Sequence, residues 1–336
     1  MKTVKRASSP LHLQFLFWAL LSGLFLCGCE PTGTGKEGNG TRPTISSKES
    51  PEEGRINIGI DITMQPVLKQ LVDGFHVENE KAHLKAIYAT EDELVKGLQQ
   101  DSMRLIILSR ELTAAETSVL RKQQSRTTVT PLASDAIVAI LHPENPMDSI
   151  TMAQLGRVVR GEAKTWREIG GNSDDPVNLV FDAPTSSTVR MIRERFLKRD
   201  QQLPANAFEA TSQEKVVEYV SKDKNAIGFI GYCHVSDRDS RAVQEVLEKI
   251  KLARLDATDT SDVSGFFIRP YQNEIALGRY PLSRPVFIVS REHFIGLGTG
   301  FVTYSAGEIG QRILLKAGLV PKSMPPRLIV LPEKED

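Results

Sequence analysis

The sequence has 336 residues, 40% hydrophobic and 25% charged, an ordinary soluble composition with length for two compact units. Lys plus Arg and Asp plus Glu stand at 42 each, so no global field favours nucleic acid. A charged ligand must be recognised by local groups.

The chain opens with Lys2, Lys5 and Arg6, followed by the apolar run "LHLQFLFWALLSGLFL" at 11–26. This is the pattern of a signal peptide, and it is too short and too interrupted by His12 and Gln14 for a permanent span. The next residues, "LCGC" at 26–29, resemble a bacterial lipobox and imply cleavage after residue 28 with lipid on Cys29. Cys27 is then discarded and Cys233 alone remains, so the mature chain is expected to fold without a disulfide. Residues 29–54 are rich in Gly, Pro, Ser, Thr and charge, and read as a flexible tether reaching ~25–30 Å from a membrane.

From Arg55 onward, strand-like and helix-like segments alternate. "RINIGI" at 55–60 spaces three isoleucines at period two, and 66–78 carries Val67, Leu71 and Phe75 at helical spacing behind Pro66. "RLIILS" at 104–109 is a buried-strand run, and "TAAE" at 113–116 a capping box that opens a helix. Strands at 135–141, 177–181, 226–232 and 284–290 follow, as does a helix over 151–160. "TSQE" at 211–214 and "SAGE" at 305–308 are expected to open two more helices, the second stopping at Gly318. The alternation predicts an α/β fold with helices over a mostly parallel sheet.

Three strand-to-helix turns carry the candidate chemistry. Ser186, Ser187 and Thr188 stand at a helix start with Arg190 close behind, where free backbone N–H groups and hydroxyls suit an oxyanion. Arg190 adds a planar charged fork, although the same residues taken alone suit a simple N-cap. Asp61 and Thr63 occupy a second such turn, and Ser109 and Arg110 a third. In open α/β sheets ligands bind beyond the carboxyl ends of strands, so the three turns can converge. "GLGTG" at 296–300 does not match a dinucleotide loop, and no Walker A or nucleophile-elbow motif is present. The histidines at 12, 76, 83, 142, 234 and 293 have no metal-ligand spacing, so neither metal nor cofactor is expected. Trp166 and Phe229 read as core or turn anchors.

Several stretches together resemble one family. "DAIVAILHPENPMDSITMAQLGRVVRGEAKTWREIGG" at 135–171, "AIGFIGY" at 226–232 and "YPLSRPVFIV" at 280–289 are similar to landmarks of the phosphate-binding proteins of ABC transporters. The resemblance implies a type 2 periplasmic-binding-protein fold, with two α/β lobes joined by two crossover segments and a ligand cleft between them. Lobe I would comprise 55–133 plus 284–336 and lobe II 134–283, with crossovers near 131–136 and 282–286. The family's Ser-Gly-Thr phosphate loop falls on Ser186, Ser187 and Thr188, its first-strand Thr on Thr63, and its Ser after the third turn on Ser109. Ser187 replaces the middle Gly, and Asp182 stands where many members have Arg. Arg190 and Arg110 are the candidates to replace that charge, and Asp61 or Asp182 to accept a hydrogen bond from a protonated phosphate oxygen. The loop after the second strand is reduced to "YATEDE" at 88–93.

The expected protein is a monomeric, lipid-anchored lipoprotein at the bacterial cell envelope that captures inorganic phosphate and passes it to a permease. Altered oxyanion specificity, or a sensor role with another partner, is the alternative. A phosphate-ester hydrolase using Ser186 or Ser187 stands behind both, because the sequence supplies no adjacent base.

Overall fold

Alternating isoleucines form the first strand. In the computed structural model, which describes residues 49–259 and 262–323, β1 (Gly54–Asp61) buries Ile56, Ile58 and Ile60 and exposes Arg55 and Asn57. The signal-like segment and Cys29 lie outside the described residues. A 3-10 turn, Ile62–Met64, leads into α1 (Gln65–Glu78), which carries Pro66 in its first turn and buries Val67, Leu68, Leu71, Val72 and Phe75.

β2 (Ala82–Ala89), α2 (Glu91–Gln99), β3 (Leu105–Leu108) and α3 (Ala114–Lys122) follow. The capping box opening α3 forms as expected: Glu116 N donates to Thr113 Oγ1 at 3.2 Å, and Thr113 N to Glu116 Oε2 at 2.7 Å. Thr113→Ala is expected to cost about 1 kcal/mol, lowering the urea midpoint with an unchanged slope.

β4 (Thr128–Leu141) is a single strand of 14 residues. After it come β5 (Ser149–Ile150), α4 (Met152–Val159), β6 (Asn178–Phe181), α5 (Ser187–Phe196), β7 (Ala207–Glu209), α6 (Gln213–Val220) and β8 (Ala226–Gly231). Then follow α7 (Arg241–Leu247), β9 (Lys251–Leu252), β10 (Arg254–Asp256), β11 (Phe267–Ile268) and α8 (Gln272–Ala276). The described chain ends with β12 (Ser283–Ser290), α9 (Leu297–Ala306), α10 (Glu308–Lys316) and β13 (Val320–Pro321).

The main sheet runs β2-β1-β3-β12-β4-β8-β6-β7, with β9 and β13 also paired to β4. It is mixed, which corrects the expectation of a mostly parallel sheet. β1, β2 and β3 are mutually parallel, as are β6, β7 and β8, but β12 and β4 join the two runs with antiparallel pairings. The polar first half of β4, with Thr128, Val129 and Pro131 exposed, hid its strand character, since only 135–141 is a continuous apolar run. β4 pairs with β12 over Thr128–Ala136 and with β8 over Ile137–Leu141.

Two further expectations are adjusted. α6 is capped by Ser212, which accepts from Lys215 N, while Thr211 takes a left-handed φ of 69°. Ser305 lies inside α9, and Gly307 rather than a serine caps α10. Gly318 does follow the last helix at φ 93°.

One buried cluster gathers around β6, β8 and the second half of β4, and another around β1, α1, β12 and α9. In the first, Phe181 stacks on Phe229 with ring centroids 5.0 Å apart, fixing the end of β6 immediately before Asp182. α6 lies close on β8 because Gly228 has no Cβ; one there would come within 2.7 Å of Val216 and Val220. Trp166 and Phe229 are both buried, as their core reading anticipated.

Candidate functional site

Parallel pairing aligns the carboxyl ends of β1, β2 and β3, with Asp61 opposite Ala89 and Ile60 opposite Ile107. Asp61, Glu91 and Ser109 therefore lie side by side just past their strands. Across from them, β6 ends at Phe181 just before Asp182, β8 ends at Gly231, and α5 starts at Ser187 with Ser186 as its N-cap. Ser186 Oγ accepts from Val189 N at 3.1 Å, so this serine is a cap in fact as well as a site candidate.

At the centre lies a buried polar line. Arg284, on β12, donates from Nη1 to Ser187 Oγ at 2.8 Å. Ser187 Oγ is 2.8 Å from Thr63 Oγ1, and Thr63 donates from N and Oγ1 to Asp61 Oδ1, each at 3.0 Å. With the Arg284 donor at one end and the Asp61 acceptor at the other, the two hydroxyl protons are ordered in one direction, Ser187 to Thr63 to Asp61. The Arg284 side chain is 2% exposed, and its Nε and Nη2 donate to Asp135 Oδ2 at 3.0 and 2.7 Å. Asp61 Oδ2 and Asp135 Oδ1 are buried without hydrogen-bond partners. Burial raises the pKa of Asp61, opposed by the Arg284 charge and reinforced by Glu91.

Ser109, Arg110 and Arg190 form a second group, organised by Glu91. Glu91 Oε1 accepts from Ser109 N and Oγ, both at 3.0 Å, and Oε2 from Arg190 Nε at 2.6 Å. Arg190 Nη2 also reaches Ser109 Oγ at 2.9 Å, and Nη1 meets Glu194 at 2.8 Å. Arg110 turns its fork onto Glu116, with bonds of 2.8 and 2.9 Å. Neither arginine supplies the charge on the Ser186–Thr188 loop; Arg284 does. Their own carboxylates hold Arg190 and Arg110, which is the physical reason for the correction.

Asp182 belongs to a third group. Its Oδ1 accepts from Ser186 Oγ and its Oδ2 from Gln213 Nε2, while Gln213 also donates to Thr188 Oγ1 at 3.3 Å and accepts from Gly231 N at 2.7 Å. Both oxygens of Asp182 are thus engaged, one by the loop and one by the start of α6. Burial pushes its pKa up to about 6 against these two hydrogen bonds. Beside it opens a cavity of about 220 Å3 lined by residues that include Ile62, Tyr88, Asp182, Ser186, Gln213 and His234. Burial lowers the pKa of His234 from its usual range, and its Nε2 lies 3.1 Å from Thr63 O.

The sequence reading therefore named Thr63, Ser187 and Asp61 at the centre but missed Arg284, Asp135, Glu91 and Gln213. The signal for the first two was available: each is a charged residue in an otherwise apolar strand run, "SRPVFIV" and "DAIVAIL". Their Cα positions are register partners on β12 and β4. Among the described residues no cluster of His, Cys, Asp and Glu has the geometry to hold a metal ion.

The chain is similar in sequence and in fold to several known proteins. The phosphate-binding protein PstS of Borreliella burgdorferi is 23% identical over 282 residues, covering 81% of this chain and 92% of the relative. That of Bacillus subtilis is 20% identical over 308 residues, covering 90% and 92%. The fold matches a Clostridium perfringens protein, assigned as the substrate-binding protein of a phosphate ABC transporter and solved with phosphate bound, at a TM-score of 0.66. Sequence identity there is 20%, over 80% of this chain and 99% of the other. An ABC-type phosphate transport receptor of Vibrio cholerae matches at 0.61, with 19% identity over 79% and 99%. These likenesses give the α/β architecture as the type 2 binding-protein fold. A family model described as the PBP superfamily domain matches residues 46–308, most of the chain, and the chain belongs to that superfamily.

Proposed function

We propose that this protein is a solute-binding lipoprotein that captures inorganic phosphate in a cleft between two lobes, 55–133 plus 284–336 and 134–283, and delivers it to an ABC-transporter permease. The observation that carries the reading is the Arg284 guanidinium on Ser187 at the start of α5, with the Thr63 hydroxyl directly opposite. A buried cation, two hydroxyls and a helix N-terminus are the neutral and charged donors that a small oxyanion requires. Asp61, whose burial raises its pKa, is placed to exchange a hydrogen bond with a protonated phosphate oxygen. The names of the similar proteins support the same ligand. Cys29 would carry the lipid, and the tether expected over 29–54 would act as the leash at the cell envelope only as far as Glu49, where the ion pair to Arg104 fixes the chain to the folded body.

Binding rather than turnover suits the serines. Ser186 donates to Asp182 and Ser187 contacts Thr63 and Arg284, while His234 lies on the Thr63 carbonyl and not on either hydroxyl. Altered oxyanion specificity is the second reading, favoured by the four buried carboxylates Asp61, Glu91, Asp135 and Asp182 around the seat. Titration calorimetry with phosphate and sulfate decides between them. Phosphate is expected to bind, and Ser187→Ala to weaken it about tenfold through loss of one charge-coupled hydroxyl. Heat from sulfate and none from phosphate would establish the second reading.

A further inference from the structure

Glu91 makes the contacts of a bound anion. It begins α2, is 2% exposed, and draws together a backbone N–H and a hydroxyl from Ser109 and a guanidinium N–H from Arg190. A second guanidinium, Arg110, lies at 3.4 Å from the same Oε2. A strand-end amide, a hydroxyl and a planar cation form an oxyanion site in their own right. Its two sides come from different parts of the fold. Ser109 follows β3, on the β1–β3 side, whereas Arg190 projects from α5, beyond β6. The Arg190–Glu91 contact therefore bridges the same divide that the Thr63–Ser187 contact bridges.

We propose that Glu91 is a resident substitute ligand: its carboxylate occupies an oxyanion subsite at the end of β3, latches Arg190 across the cleft, and competes there with small external oxyanions. This rests on the cleft of the proposed function but not on phosphate being its solute. The Glu91 charge also faces Asp61 and raises its pKa, so it adds to the negative field that an arriving anion meets. Four carboxylates and two guanidinium groups surround the subsite: Asp61, Asp92, Glu116 and Glu194, with Arg110 and Arg190. Removing the Glu91 carboxylate leaves the Ser109 N–H, the Ser109 hydroxyl and the Arg190 Nε–H without their acceptor, removes one negative charge, and opens the subsite to an anion of carboxylate size.

Glu91→Ala tests this with formate as the probe, in the full folded region of the chain. Formate is expected to raise the Tm of Glu91→Ala in a saturable manner relative to chloride at equal ionic strength. It should leave the wild type unmoved, and Glu91→Ala/Arg190→Ala should lose the response. Equal responses in wild type and Glu91→Ala would overturn the proposal. Glu91→Gln, which preserves side-chain size where truncation prevents folding, is expected to bind phosphate about tenfold more tightly than the wild type. Where the wild type binds phosphate, unchanged or weaker binding by Glu91→Gln would likewise overturn it. Formate stabilisation of Glu91→Ala with no heat from phosphate in any variant upholds the subsite and defeats the phosphate reading. Absence of both effects defeats the two together.

Discussion

Arg284→Met is expected to lose about 3–5 kcal/mol of stability and to abolish oxyanion binding. The stability loss comes from what remains. Asp135 is fully buried, its Oδ1 already lacks a partner, and its Oδ2 would lose both guanidinium bonds. An uncompensated carboxylate in that position must either take a proton or disrupt β4. The binding loss has a separate cause, since Arg284 Nη1 is the cation on Ser187. The double variant Arg284→Met/Asp135→Leu separates the two. It should recover most of the stability, because apolar pairs often replace buried ion pairs without cost, and should still bind no phosphate. Urea unfolding and calorimetry on the three proteins read both quantities. A single variant as stable as the wild type would show that Asp135 is not held by this pair.

The second large effect is a dependence on pH. The carboxyl of Asp182 is raised from 3.8 to about 6 in the folded protein, first by burial. Between those values the native state keeps a proton that the unfolded chain has released. The stabilisation is therefore complete below about pH 4 and is lost as pH rises through 6. At about 1.4 kcal/mol for each pH unit between the two values, it amounts to about 3 kcal/mol. Asp182→Asn cannot titrate, and it retains an oxygen to accept from Ser186. The stability difference between the variant and the wild type is expected to change by about 3 kcal/mol between pH 4 and pH 7, with the variant relatively favoured at pH 7. Parallel pH profiles for the two proteins in urea unfolding would refute the assignment.

Local periodicity was enough to read most of the elements. Ile56, Ile58 and Ile60 announce β1, the Thr113 box opens α3, and the buried run at 226–231 becomes β8. The mixed sheet was hidden because direction is a long-range property: whether β12 lies parallel or antiparallel to β4 depends on the path of the chain between them. The site divides in the same way. Thr63 and Ser187 stand at strand-to-helix turns, where helix ends expose free donors, and could be named from that pattern. Arg284 shows in the sequence only as a charge in an apolar strand run, and Glu91 not at all, since each acts through a partner remote in sequence: Asp135 and Ser187 for the former, Ser109 and Arg190 for the latter. Arg190 stands within one turn of the hydroxyls, yet Glu91, Ser109 and Glu194 hold its guanidinium, partners that its position in sequence does not announce.

The pairing of β4 with β12 also orders events in time. The Arg284 guanidinium meets the Asp135 carboxylate across 149 positions of chain, and the intervening residues build the cluster around β6 and β8. A ribosome releases Asp135 well before Arg284, so during synthesis the first half of β4 has no antiparallel neighbour and its acid has no counter-charge. Closing so long a loop is slow, because chain entropy is lost before the contact rewards it. Assembly of the Arg284–Ser187–Thr63 line is thus tied to a long-range docking step. A nascent or truncated chain that ends before β12 carries the Thr63 and Ser187 hydroxyls without the Arg284 guanidinium that meets them.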